Sequence, residues 1–249
     1  MWRSCVIEGG NLKVLVIPDV HLRPWMFEAA AEVMRNKTAD KAVCLMDIPD
    51  DWGQEYNLNL YEETFAAAVN FQMAFPGTLW CYGNHDLSYV WNQMESGFSP
   101  IASEAVNEGL RKLREALPNA DQIAYIHRID NVLFSHGGLT DPFVKYYVPS
   151  DKRDKVDEVI KTVNGLGCHE MWDDASPLWL RPQYYPEKMY KQEELLQVVG
   201  HTPVESITED WNIISCDVFS TYRDGSPIGT EEFLLIDTVT CEYSGIKAR

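Results

Sequence analysis

The sequence predicts an α/β fold, a layered α/β sandwich with two mixed β-sheets flanked by helices. Three observations lead there. Short apolar runs of strand length recur at 13–18, 42–46, 78–82, 122–126, 132–134, 197–199, 212–216 and 232–236. Helical periodicity lies between them in the first half, whereas the last third is rich in strand signals, so a pure doubly wound sheet fits less well.

Taken in order, each run is bounded by polar or turn-forming residues, as a strand must be. Val106, Leu110, Leu113 and Leu117 recur at helical spacing, and Ser99 with Pro100 suggests a cap and first turn for that helix. Val156, Ile160 and Val163 mark a second helix. Asp224-Gly225 reads as a turn. Two stretches fit neither template: 48–59 is crowded with acids, and 168–186 mixes Trp172, Trp179, Tyr184 and Tyr185 with Pro and Asp. Both read as long functional loops or satellite packing.

Composition sets the outer bounds. The 249 residues are 45% hydrophobic and 24% charged, with 8 Trp, 12 Tyr and 9 Phe, which excludes disorder, collagen and coiled coil. With 21 basic against 38 acidic residues the formal charge is −17. General nucleic-acid binding and binding to anionic membranes are therefore not expected. Such an excess of acid also suits a site where bound cations supply the missing positive charge. No apolar stretch is long enough to span a bilayer, and Met1 to Gly10 lacks the order of a secretion signal, so a cytoplasmic location is expected. Cys5, Cys44, Cys81, Cys168, Cys216 and Cys241 are widely spaced and read as reduced thiols.

The chemistry lies just past the strands. Run 13–18 leads into Asp19-Val20-His21, 42–46 into Asp47-Ile48-Pro49-Asp50, and 78–82 into Gly83-Asn84-His85-Asp86. Run 132–134 leads into Ser135-His136-Gly137-Gly138, and 197–199 into Gly200-His201-Thr202. Any one of these alone reads better as an ordinary surface or core polar residue. Five together point to one convergent site, because ligands gather at the carboxyl ends of strands in α/β folds. His127 and His169 fall outside the pattern and read as structural.

This arrangement resembles the calcineurin-like metallophosphoesterases, whose motifs run Asp-x-His, Gly-Asp-x-x-Asp, Gly-Asn-His-Asp/Glu, a His near glycines, and Gly-His. All five occur in order between Asp19 and His201. His-Gly-Gly and Gly-His-Thr are most similar to the branch with serine/threonine protein phosphatases and symmetrical dinucleoside tetraphosphatases. Three positions depart from that branch. Met46 and Leu22 stand where it has glycine, and Asp51-Trp52 follow Asp50 where it has a phosphate-gripping Arg. Arg181 is the candidate replacement, since Leu178-Trp179-Leu180-Arg181 resembles the Leu-Trp-x-Arg stretch of tetraphosphatase-like members. An ordinary surface Arg packed on Trp179 is the competing reading. Trp179, Tyr184 and Tyr185 would wall a nucleobase beside it.

The resemblance implies that Asp19 and His21 hold one metal, that Asn84, His136 and His201 hold a second, and that Asp47 bridges both. Two divalent transition-metal ions are implied, manganese first, with iron, zinc or cobalt also fitting the mixed donors. They would share a bridging hydroxide that attacks phosphorus. His85 becomes the general acid, oriented by Asp50, with Asp86 an alternative partner; Asn84 and Arg181 contact substrate. Asp217 and Asp237 are read as structural because the site is already furnished. Because the ligands span Asp19 to His201, residues 1–249 are expected to form a single domain. The implied activity is hydrolysis of phosphate esters or phosphoanhydrides, on a phosphorylated small molecule, a nucleotide such as a dinucleoside polyphosphate, or a phosphoprotein. The alternatives are a phosphodiesterase or nuclease, favoured if Lys145, Lys152, Arg153, Lys155 and Lys161 form one basic face, and a non-catalytic metal-binding member.

Overall fold

The apolar runs become strands because both of their faces are buried. In the computed structural model, which describes residues 12–185 and 187–248, the strands are β1 (Lys13–Ile17), β2 (Lys41–Cys44), β3 (Leu79–Cys81), β4 (Ile123–Ala124), β5 (Ile126–Ile129) and β6 (Val132–Ser135), followed by β7 (Leu196–Val199), β8 (Thr208–Asp210), β9 (Ile213–Ser215), β10 (Glu232–Asp237) and β11 (Tyr243–Lys247). Six form a sheet in the order β11-β10-β1-β2-β3-β4 and five a sheet in the order β5-β6-β7-β9-β8. Both are mixed: β1, β2, β3 and β4 run parallel beside antiparallel β10, and β6, β7 and β9 run parallel between antiparallel β5 and β8. Cys5 and the 1–10 segment lie outside the described residues, as does Pro186.

Side chains on a strand alternate between faces, and this divides the core in two. Val14, Val16, Val43 and Cys81 of the first sheet meet Val132, Phe134, Val198 and Ile214 of the second. Leu15, Ile17, Ala42, Cys44 and Trp80 point the other way, into the helical layer. That layer comprises α1 (Trp25–Arg35), α2 (Leu58–Ala74), α3 (Asn84–Trp91) and α4 (Ser103–Ala116); α5 (Asp141–Tyr147), α6 (Val156–Val163) and the single turn α7 (Cys168–Met171) follow. Helix α1 packs on β1 and α2, α2 on α4, and α6 on β5. Phe27 of α1 stands 5.9 Å from the rings of both Phe71 and Trp80, locking helix to sheet. No helix is long and apolar enough to cross a membrane among the described residues.

Three local expectations are corrected, and two strands are added. The run 122–126 is two strands: β4 joins the first sheet, β5 joins the second, and the chain crosses at Tyr125. Asn164 fixes the crossing by accepting from the Tyr125 and Ile126 N–H groups (3.2 and 3.0 Å) and donating to the Ile126 carbonyl (2.9 Å). Ser99 does not cap α4; a 3₁₀ turn (Pro100–Ala102) intervenes, and the Ser99 hydroxyl donates to the Glu55 carbonyl at 2.6 Å. Leu117 turns extended and ends that helix. Strands β8 and β11 carry almost entirely exposed, polar edges, which is why no apolar run announced them.

His169 is exposed on α7, whereas His127 is buried on β5 with Nε2 paired to the Trp80 carbonyl at 3.1 Å. Burial lowers the His127 imidazole from 6.5 to about 4. Below pH 6.5 the unfolded chain therefore binds a proton that the fold rejects, so this contribution is complete above 6.5 and is lost as pH falls toward 4. The His127→Gln variant is expected to show a shallower fall in unfolding free energy between pH 6.5 and 4, by on the order of 2–3 kcal/mol. Denaturant titrations across that range check it, and identical slopes would remove His127 from the acid response.

Candidate metal centre

Strands β1, β2 and β3 run parallel in one sheet and β6, β7 and β9 in the other, and their carboxyl ends meet at one seam. Past the strand ends the chain stays paired: the Val20, His21 and Leu22 N–H groups donate to the carbonyls of Met46, Asp47 and Ile48 at 3.0, 2.8 and 3.0 Å. Over this stretch His21, Leu22, Met46, Asp47 and Asp50 take left-handed backbone with φ of 41° to 68°, and His201 does so across the seam with φ 62°. Non-glycine residues rarely adopt this conformation. Leu22 and Met46, the two positions where the related branch has glycine, meet this requirement without being glycine.

The side chains converge on Asp47. Its Oδ2 lies 3.1 Å from His136 Nε2 and 4.0 Å from His21 Nε2, and its Oδ1 accepts the His85 backbone N–H at 3.0 Å. Asp47, His136 and His201 bring ligand atoms within 4.8 Å of one another, and so do Asp19, His21 and Asp47. Asn84 Oδ1 faces His136 Nε2 at 3.0 Å. Neighbouring carbonyls fix the imidazoles, with Nδ1 of His21 donating to Asp50 O (2.9 Å) and Nδ1 of His136 to Leu45 O (3.1 Å). Both Nε2 atoms thereby face the acids. Asp19 Oδ1 accepts the His201 N–H at 2.8 Å, while Asp19 Oδ2 and His201 Nε2 are buried with no hydrogen-bond partner among the described residues.

His85 stands beside this cluster. Its Nδ1 lies 2.9 Å from Asp50 Oδ2, and Asp50 Oδ1 accepts the hydroxyls of Tyr61 (2.9 Å) and Tyr89 (2.5 Å). Asp86 is not the partner of His85; it accepts the backbone N–H groups of Asp47, Ile48 and Gly83 and so holds the loop. Burial opposes charge on His85, but Asp47, the Asp50 hydrogen bond and Glu95 outweigh it and raise the imidazole to about 10. Asp47 is held well below the usual carboxylate range: burial opposes its charge, and the imidazoles of His136, His85 and His21 overcome that. Burial, then the neighbouring Asp217 charge, pushes Asp19 up. His201 is pushed down by burial, His136 and Arg181, which leaves it neutral.

A cavity of about 190 Å³ opens onto the cluster. Of the residues singled out in the sequence, His21, Asp47, Asp50, Asn84, His85, Trp179, Arg181 and His201 line it. Arg181 donates from one guanidinium nitrogen to the His201 carbonyl (2.6 Å) and the Thr202 hydroxyl (3.3 Å). Tyr184 and Tyr185 do not join the wall: their N–H groups bond back to the Arg181 carbonyl in a turn, and the side chains are 64% and 63% exposed. Asp217 also lines the cavity, while accepting the Ser220 N–H and hydroxyl at 3.3 and 2.9 Å. The strand-end rule that found the other five reaches it as well, because it stands two residues past the end of β9, as Asp19 does past β1. Asp237 sits opposite Lys13, at the amino end of β1, and caps the Val239 and Thr240 N–H groups. Glu95 gave no sequence signal, yet its Oε2 accepts the Asn84 amide at 2.7 Å and its Oε1 lies 3.8 Å from His85 Nδ1.

Two mixed sheets with acids and imidazoles gathered at shared strand ends define a phosphoesterase sandwich. The calcineurin-like phosphoesterase pattern matches residues 12–227, and the chain belongs to that family, which typically binds divalent metals. No curated protein matches the chain in sequence. Among solved structures it is similar in fold to the cold-active protein-tyrosine phosphatase of a psychrophilic Shewanella species, with TM-score 0.54 and 17% identity over 96% of this chain and 81% of that one. A point mutant of a cold-active protein tyrosine phosphatase gives TM-score 0.54 and 14% identity over the same shares.

The site also depends on missing side chains. A Cβ on Gly83 would fall 1.9 Å from Asp47 Oδ1, and one on Gly200 would fall 2.1 Å from Asp19 Oδ2. Gly83→Ala is expected to cost about 1–3 kcal/mol through overpacking. Gly77→Ala, where a Cβ meets nothing within 4 Å, is expected to be near neutral. Denaturation midpoints compare the two, and equal effects would show that the Asp47 carboxylate is free to move.

Proposed function

We propose that this phosphoesterase uses two metal ions, with Asp19 and His21 on the first, Asn84, His136 and His201 on the second, and Asp47 on both. The observation that carries this is the pair of ligand triplets sharing Asp47. The donors suit the group: buried Asp19 Oδ2 and His201 Nε2 have no partner among the described residues, and such atoms call for one. Imidazole, carboxylate and amide together suit manganese, and also iron, zinc or cobalt. Two such ions supply a water of lowered pKa and neutralise phosphoryl charge.

The chain's own groups do the rest. His85, protonated and held through Nδ1 by Asp50, has Nε2 left to give a proton to the departing oxygen. Tyr61 and Tyr89 occupy the other Asp50 oxygen and keep that carboxylate from rotating. Arg181 and Asn84 orient phosphoryl oxygens. Asp47 needs its negative charge at neutral pH, and the surrounding imidazoles secure it.

The substrate reading is a phosphomonoester or nucleotide phosphoanhydride; a phosphorylated protein side chain is the other class such a cavity serves. A nuclease is disfavoured by the state of the basic residues. Lys145 pairs with Asp141 at 2.7 Å and Lys152 with Glu158 at 3.6 Å, and Arg153 donates to the Val148 carbonyl, so three of the five basic residues are already engaged. Residues 1–249 act as one domain in this reading, because both sheets contribute ligands. The unpaired thiols of Cys44, Cys81 and Cys216 suit the reducing cytoplasm.

Two expected outcomes test this. Asp47→Asn should lose more metal than any other single ligand change, since a shared anion serves both ions; metal analysis after gel filtration decides, and two full sites in the variant would remove the bridging role. His85→Asn should keep its metal yet lower turnover by about 10²–10⁴-fold on an alkyl phosphate. The loss should be smaller on nitrophenyl phosphate, whose leaving group needs no proton. Equal losses on both esters would argue against the acid role.

A further inference from the structure

The cavity has a mouth as well as a floor, and the mouth comes from two segments that carry none of the family motifs. One is the acid-rich loop after Asp50. Its Asp51 and Trp52 both line the cavity, and Trp52 is 41% exposed. The other is the turn from Ser220 to Ile228. It is closed by the Ile228 N–H to the Ser220 carbonyl (3.0 Å), the Tyr222 N–H to the Ser226 carbonyl (2.9 Å), and Asp224 Oδ1 accepting from the Ser226 N–H and hydroxyl (3.0 and 2.6 Å).

The segments are tied together. Asp51 pairs with Arg23 at 3.1 Å and accepts the Thr221 hydroxyl at 3.2 Å. From the turn, the Arg223 guanidinium sits over the Trp52 ring, 4.9 Å from its centroid. Arg223 makes no ion pair with any described acid, so the indole is its partner. A cation over an indole face is attracted by the ring quadrupole and limits the ring's motion. Arg223 does not line the cavity although Trp52 does, so the indole is braced from outside the wall.

The Trp52 indole lines the cavity, keeps part of its surface open and is braced by a cation, and an aromatic surface so placed can stack on a planar group. We infer that Trp52, braced by Arg223, is a stacking subsite for the aromatic group of the substrate, a nucleobase or an aryl ring carried on the phosphate. This rests on the phosphoesterase reading above and makes it narrower: aromatic phosphate esters are favoured over alkyl ones. Trp52 is the binding residue, and Arg223 is a positioning residue that acts through it. The proposed stacking surface thus lies at Trp52; Trp179 also lines the cavity, whereas Tyr184 and Tyr185 do not.

The test compares adenosine monophosphate with glycerol phosphate on the metal-loaded full chain. Wild type should prefer the nucleotide in kcat/KM. Trp52→Ala should lower the ratio of the two kcat/KM values by about 5- to 100-fold, the range expected for one lost stacking contact. The change should sit in KM for the nucleotide. Trp52→Phe should restore part of the ratio, and Arg223→Gln should lower it less than Trp52→Ala. A ratio unchanged in Trp52→Ala, with melting behaviour like wild type, overturns the subsite. Binding separates this from failure of the hydrolytic reading. If wild type turns over neither ester, calorimetry with the methylene phosphonate analogue of the nucleotide and with methylphosphonate decides. Tighter binding of the nucleoside analogue, lost in Trp52→Ala, upholds the subsite although hydrolysis fails; equal binding of the two overturns it.

Discussion

The buried carboxylate of Asp47 is the interaction on which the rest of the site depends. A carboxylate removed from water is costly unless hydrogen bonds and positive charge replace its hydration. Asp47 receives both, from the His85 N–H on one oxygen and the His136 imidazole on the other. Its position is fixed in turn by Asp86, which takes the N–H groups of Asp47, Ile48 and Gly83 together. Asp86 is itself raised to about 7, first by burial and then by the charge of Asp47. Two acids thus stand one behind the other in a dry seam, and part of the net charge of −17 is located where cations can answer it.

Holding Asp47 there bends the backbone. Left-handed conformations at non-glycine residues cost on the order of 1–2 kcal/mol each, and six of them surround the cluster. What offsets this is visible at Leu22 and Met46. Both side chains are buried in the helical layer, where a large apolar chain contributes roughly 1.5–3 kcal/mol. The backbone on either side keeps its interstrand hydrogen bonds. A glycine would relieve the strain and forfeit the burial. The two departures from the related branch therefore preserve the loop shape by a different balance of terms.

The sequence revealed the fold class and the strand ends because both rest on local rules. Burial on both faces writes apolar runs into β1, β2 and β6, and the residues just past such runs lie at the sheet's carboxyl edge. What escaped detection depended on contacts distant in sequence. The change of sheet at Tyr125 is set by Asn164, which is 38 or 39 residues away from the atoms it binds. Ser99 spends its hydroxyl on Glu55 rather than on its own helix. Glu95 enters the site only because α3 ends in a turn that carries it back to Asn84 and His85. Asp217 differs, since it stands past the end of a strand by the same local rule and needs no distant contact to be legible.

Floor and mouth answer to different constraints. The floor is made of strand ends, and its residues are bound to one another and to the sheets, so a change in any of them disturbs several others. The mouth is made of the loop after Asp50 and the turn after Ser220, joined by Arg23, Asp51 and Thr221. Where the related branch has an Arg after Asp50, this chain has an acid, and the acid is already neutralised by Arg23. The position therefore cannot grip phosphate; it anchors the turn instead. Of the guanidiniums near the cavity, Arg23 is spent on Asp51, and Arg181 commits one nitrogen to His201 and Thr202. On the two-metal reading, phosphate charge falls to the metals and Arg181, while the loop after Asp50 carries Trp52 at the cavity. Chemistry set by the sheets and selectivity set by two loops can then change independently within one fold.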